Sequence, residues 1–182
     1  MILGDGLRLR AIEKSDIPRF VRWLNDPDVT RFLLISSPLS LAMEENWFEK
    51  QLKVPPVEGQ VLAIEVQAGE EWIHIGNAGL HNVDAINRNA EFGIFIGETG
   101  YHNKGLGTAA TRLMLKHGFD NLNLNRIYLY VYENNPRAIK AYKNAGFVRE
   151  GILRQAVFKH GRYLDLIVMS VLRSEWTNMY EK

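Results

Sequence analysis

Tyr101-His102-Asn103-Lys104-Gly105-Leu106-Gly107-Thr108-Ala109-Ala110 decides the fold. It follows the strand-like run Ala90-Glu91-Phe92-Gly93-Ile94-Phe95-Ile96 and opens a helical pattern from about residue 107 to residue 122, so it marks a strand-to-helix joint. Two glycines let the backbone come close to a bulky anion, and the first turn of a helix offers unpaired N–H groups to it. A pyrophosphate suits such a site. Gly-x-Gly alone is equally a tight turn without a ligand. It is also not the full dinucleotide fingerprint, because Ala110 stands at the third glycine position. Nor does the stretch end in the Gly-Lys-Ser/Thr of a nucleotide P-loop.

Working outward, a strand is expected over residues 127–132 and then a helix over 136–145. Asn135 suits the N-cap, Pro136 the first helical position and Gly146 the C-terminal stop. Val157-Phe158 and Tyr163-Leu164 flank His160-Gly161, which predicts a tight hairpin. Counting back from that turn puts Ala156 opposite Asp165 and Arg154 diagonal to it, so an Arg154–Asp165 pair is expected. Upstream, residues 61–66 and 73–80 read as strands, and Val54-Pro55-Pro56-Val57-Glu58-Gly59 is a rigid connector. Before it come a strand at 7–12 and a helix capped by Ser15 or Asp16 that carries Ile17, Phe20, Val21 and Leu24 and ends at Asn25-Asp26-Pro27. A second helix runs from Ser40 to about Lys53, with Met43, Trp47, Phe48 and Leu52 as its apolar stripe. The order βααβββαβαββ predicts an α/β (α+β) fold, one mixed, mostly antiparallel sheet flanked by helices, in a single domain over residues 1–182.

Composition narrows the function classes. Twenty-two basic residues against 21 acidic ones leave a net charge of +1, which gives no reason to expect a nucleic-acid or membrane partner. No stretch approaches 18 uncharged apolar residues, and Met1-Ile2-Leu3-Gly4-Asp5-Gly6 lacks the pattern of a signal peptide. The absence of cysteine excludes disulfides, thiolate metal sites and a thiol nucleophile. Five scattered histidines without ligand spacing predict no metal site. A cytoplasmic, reducing setting is expected.

Asn134-Asn135-Pro136-Arg137-Ala138-Ile139-Lys140-Ala141-Tyr142-Lys143-Asn144-Ala145-Gly146-Phe147 is the second motif. Behind the Gly-x-Gly turn it resembles the GNAT superfamily of acyl-coenzyme A-dependent N-acetyltransferases over nearly the whole chain. Asn25-Asp26-Pro27, Gly151 and Gly161-Arg162-Tyr163-Leu164-Asp165 look like the branch with ribosomal-protein N-terminal and spermidine acetyltransferases. The resemblance implies acetyl-CoA as cosubstrate. Asn103, Lys104, Gly105, Leu106, Gly107 and Thr108 would wrap its pyrophosphate, Lys104 being either a phosphate partner or a solvated side chain. Phe95 and Ile96 would pair their backbone with the pantetheine arm, and Asn135 would bond it from the other side. His102 stands where the family usually has Gln or Arg, which implies weaker, somewhat pH-dependent binding.

The resemblance further implies direct attack of an amine on the thioester, with Tyr142 as the acid and Glu91 as the base. Taken alone, Tyr142 reads better as a half-buried aromatic with its hydroxyl on a backbone carbonyl, and Glu91 is equally a sheet-surface residue paired with Arg88 or Lys159. The expected acceptor is a small-molecule amine, such as a polyamine or an amino sugar, or a protein N-terminus. It would lie between residues 30–37 and the 158–163 turn. Glu44, Glu45 and Glu49 could serve a polyamine but read better as a solvated helix face. A homodimer is compatible with this reading. The rival readings are a non-catalytic acyl-CoA sensor and a purely structural module.

Overall fold

The computed structural model describes residues 1–35 and 37–180. Its strands are β1 (Ile2–Leu3), β2 (Leu7–Ala11), β3 (Gln60–Ala68), β4 (Glu71–Asp84), β5 (Asn89–Ile96), β6 (Arg126–Tyr132), β7 (Val148–Lys159) and β8 (Arg162–Leu172). The helices are α1 (Ile17–Leu24), α2 (Pro27–Thr30), α3 (Leu41–Gln51), α4 (Leu106–Lys116), α5 (Pro136–Asn144) and α6 (Arg173–Tyr180). One eight-stranded sheet runs β1-β2-β3-β4-β5-β6-β8-β7. Every neighbouring pair is antiparallel except β5 and β6.

The expected order holds, with β1, α2 and α6 added. Asn25-Asp26-Pro27 ends one helix and starts another: the Asp26 carboxylate accepts from the Asp28 N–H at 2.9 Å, and Pro27 takes the first helical position. Ser40 caps α3 as expected by accepting from the Met43 N–H. Of the expected α3 stripe, Phe48 is buried and Trp47 half-buried, whereas Met43 and Leu52 face solvent. Glu44 departs from the solvated-face reading. It is buried, and burial pushes its carboxyl up.

The larger core cluster joins β2 through β6 to α4, α5 and α6, with Trp176 lying 5.9 Å from Phe119. A smaller cluster of Ile17, Phe20, Trp23, Val29 and Phe48 packs beneath α1 and α3. Ile94 and Ile96 pack against the larger cluster and Phe95 against the smaller. Successive strand residues point to opposite faces, so the two clusters lie on either side of the sheet. At the end of β5, an added Cβ on Gly97 would stand 2.1 Å from a Trp23 ring carbon. Only glycine allows that indole so close, and Trp23 then donates to Glu98 at 3.1 Å, fixing α1 onto the sheet.

Asp16 sits at the α1 N-terminus, but it does not bond the helix. Its carboxylate takes two bonds from Arg10, at 2.7 and 2.9 Å, and lies 3.2 Å from His74 Nδ1. Arg10 also reaches Glu65 at 2.7 Å, and Arg8 reaches the other Glu65 oxygen at 2.6 Å. Burial alone would raise both carboxyls. Hydrogen bonds from the arginines, and for Asp16 from His74 and the Glu13 backbone, outweigh it and hold both below the ordinary range. The folded pKa thus lies below the unfolded one, so these groups contribute stability that is full above about pH 5 and lost as pH falls through 4 and lower. Denaturant midpoints measured against pH are expected to drop along that limb. Asp16→Asn should flatten the limb and cost about 3–5 kcal/mol at neutral pH, because it breaks a buried charge network.

The hairpin turn forms as expected. Lys159 pairs with Arg162, and His160 and Gly161 both have positive φ, 51° and 77°. The expected Arg154–Asp165 pair does not form. Leu153 pairs with Leu166 and Val157 with Leu164, so Asp165 faces a bulge of three residues. Its carboxylate accepts from the Gln155 N–H at 2.7 Å, with Gln155 at a φ of 52°. Asp165 therefore pins the bulge.

Candidate active site

The site begins with a gap in the sheet. β5 and β6 pair only at Asn89↔Arg126, Ala90↔Ile127 and Glu91↔Tyr128. Beyond these residues β5 continues along β4 and β6 along β8. A cavity of about 580 Å³ opens where they diverge. It is lined by β5 from Glu91 to Ile96, by Tyr130, Val131 and Tyr132 of β6, by the turn into α4, by α5, and by Val29, Phe32, Leu33 and Leu34.

One edge of β5 is therefore free. The Gly97 N–H donates to the Ile75 carbonyl at 2.8 Å. Antiparallel alternation then turns the backbone groups of Phe95 and Gly93 to β4 and those of Ile94 and Ile96 into the gap. This corrects the expectation for Phe95, whose backbone faces β4 and whose ring stands 6.0 Å from Trp23. The Ile94 backbone faces the gap instead. The Ile96 carbonyl is also occupied: His102 Nε2 lies 2.9 Å from it and can only be its donor. Ile96 keeps its N–H for a ligand. His102 thus locks the strand end to the turn that follows.

In that turn Asn103 and Gly105 have positive φ, 61° and 79°. The first backbone N–H bonded back into the helix is that of Ala109, to Gly105. Leu106, Gly107 and Thr108 therefore carry orphan N–H groups, and all three line the cavity. A Cβ built on Gly105 or Gly107 meets nothing within 4 Å. Thr108 Oγ1 lies 3.5 Å from the Ala141 carbonyl. Lys104 is exposed, outside the lining, with its ammonium 5.1 Å from the Tyr101 ring centre. Arg137 and Lys140 of α5 line the same end. Orphan N–H groups, a helix N-terminus, open space above two glycines and nearby cations fit a pyrophosphate.

Across the gap, Asn135 caps α5, accepting from the Ala138 N–H at 3.2 Å. Its amide N–H groups bond no described residue, and the side chain lines the cavity. Tyr142 is 9% exposed and packs against Phe92 and Phe147, with ring centres at 6.3 and 5.8 Å. Its hydroxyl makes no hydrogen bond to any described residue, so the carbonyl-bonded alternative is not what forms. Burial pushes the phenol up to about 12.

Glu91 is half-buried and accepts from Asn82 Nδ2 at 2.9 Å. Neither alternative ion pair forms. Arg88 bonds the Asn123 carbonyl and side chain. Lys159 bonds the carbonyls of Thr30 at 2.6 Å, of Leu33, and of Ile35 at 3.4 Å, which ties the last hairpin to the loop after α2. His81 lies directly across from Glu91 on β4 and was not singled out in the sequence. Burial lowers its pKa, the Glu91 charge opposes this, and the net effect is downward. Pairing strands across the Asp84–Asn89 turn is the signal that would have found it. Among the described residues no cluster of side chains could hold a metal ion.

A family model described as an acetyltransferase (GNAT) domain matches residues 6–148. The spermidine N(1)-acetyltransferase of Vibrio cholerae is 32% identical over 180 residues, 98% of this chain and 100% of that protein. The crystal structure of the Vibrio cholerae spermidine N-acetyltransferase with CoA and spermine superposes with a TM-score of 0.87 at 30% identity, covering 96% of this chain and 100% of that one. A dodecameric structure of the same enzyme gives 0.81 at 31% identity, covering 97% and 99%. The sensor reading finds no support among these relatives. Among the described residues no helix is long and apolar enough to cross a membrane. The sequence and the fold agree with these relatives along almost the whole chain, which therefore belongs to the GNAT family of acetyl-CoA-dependent N-acetyltransferases.

Proposed function

We propose that this acetyltransferase serves a primary amine in a ternary complex, with Tyr142 as the proton donor and Glu91 as the proton acceptor. One observation carries the reading: Tyr142, whose ring is packed in the core, lines the cavity with a hydroxyl that bonds no described residue. When bound, acetyl-CoA supplies the thioester, whose acetyl carbon the amine attacks and whose thiolate leaves. The N–H groups of Leu106, Gly107 and Thr108 hold the phosphate end. Ile94 and the Ile96 N–H line up the arm, and Asn135 donates to it from the far wall.

An alkyl ammonium has a pKa near 10.4 and must lose a proton before it attacks. Glu91 attracts the cation and, directly or through a water, takes that proton. Asn82 fixes the Glu91 carboxylate, and neutral His81 beside it offers no competing positive charge. Tyr142, held protonated by burial, gives its proton to the departing sulfur. Amine acceptors in the spermidine acetyltransferases and the dodecamer among them support an amine substrate and a homo-oligomer here. The cytoplasm, where acetyl-CoA is made, is the setting this implies.

Glu91→Gln tests the base. It keeps the shape and can still meet Asn82. kcat/KM for the amine is expected to fall about 10²-fold at pH 7, with part of the loss recovered at higher pH where more amine is already free. An unchanged pH profile would remove Glu91 from the chemistry.

A further inference from the structure

A second cavity of about 260 Å³ adjoins the first, sharing Leu33, Gly93, Ile94 and Phe95 with it. Leu24 of α1, Trp47 of α3, Ile35, Val61 and Ala78 complete most of its wall. Its polar members are Asn77 and His81. Roughly 150 Å³ lined by aliphatic and aromatic side chains is enough to hold benzene. The pocket thus has room for an aromatic ring, and it lies on the Phe95 side of β5, where α1 and α3 pack.

The charges around both cavities are one-sided. Glu91 is the one carboxylate among the described residues that line them. The opposite wall is held by the Lys159 ammonium on the carbonyls of Thr30, Leu33 and Ile35. One substrate ammonium can therefore meet one carboxylate. Further ammonium groups on the same molecule would be desolvated against Leu33, Ile35 and Trp47 with no partner and with Lys159 nearby. Burying unpaired charge is costly, whereas an apolar body gains by leaving water.

We infer that the acceptor is a primary monoamine with an apolar, ring-sized body, of the arylalkylamine class, and that the lateral pocket holds the body while Glu91 meets the amine. This rests on the amine-acetyltransferase reading above and deepens it.

The test is kcat/KM at saturating acetyl-CoA for 2-phenylethylamine, spermidine, ethanolamine and a short peptide with a free N-terminus. The expected result is 2-phenylethylamine ahead of each of the others by about tenfold or more. Val61→Phe, which fills the pocket, should raise KM for 2-phenylethylamine about tenfold, with acetyl-CoA affinity by calorimetry unchanged as the sign of an intact fold. Spermidine or the peptide ahead of 2-phenylethylamine would overturn the inference and leave the amine reading standing. So would an unmoved KM in folded Val61→Phe. Cofactor binding without turnover of any amine would remove the amine reading, and this inference with it.

Discussion

Tyr142→Phe is expected to lower kcat by about 10²–10⁴ with acetyl-CoA affinity nearly unchanged, the range for loss of a general acid. The substitution removes one oxygen. The ring that packs against Phe92 and Phe147 stays, so the fold has no reason to change. The lost hydroxyl leaves no partner stranded, because it bonds none of the described residues. With the phenol pushed up to about 12, the group is fully protonated at neutral pH and does not set an alkaline limb of the rate below about pH 11. Steady-state turnover on any accepted amine reads the effect. A variant that keeps most of its activity would reduce Tyr142 to a packing residue.

Gly107→Val is expected to weaken acetyl-CoA binding by at least about 100-fold, close to 2.7 kcal/mol, while the protein stays folded. The space above Gly107 is open, so the valine Cβ meets no neighbouring atom within 4 Å and the side chain enters the cavity. Gly107 sits inside α4 without a positive φ, so backbone strain is not the cause. Gly105→Val is the less clean test. It adds strain at a φ of 79° to the same blockade. Isothermal titration with acetyl-CoA measures both, and unchanged affinity in folded Gly107→Val would move the phosphate site elsewhere.

The parts legible in the sequence were those carried by local chemistry. Asn135, Pro136 and Gly146 bound α5, and Ser40 starts α3, because caps and turn residues act within a few positions of themselves. The strand-to-helix turn at Gly105 was readable for the same reason. What escaped depended on long-range register. Counting from the His160-Gly161 turn failed at the bulge before Val157, where Gln155 adopts a left-handed conformation that no residue type announces. The choice between Phe95 and Ile94 turned on which β5 groups bond β4, and one residue of slip reverses every strand position. Glu44, one of three glutamates on an apparently polar helix face, is buried by how α3 packs on the protein rather than by its own spacing. Lys159 looked available to Glu91 until the loop after α2 came within its reach.

Direct transfer within a ternary complex is the central claim, and the initial-rate pattern tests it most directly. Turnover measured against amine at several fixed acetyl-CoA concentrations should give intersecting double-reciprocal lines, as both substrates must occupy the gap between β5 and β6 together. The chain has no cysteine to carry the acetyl group between substrates. Parallel lines, the mark of an acetylated enzyme formed before the amine binds, would contradict the account.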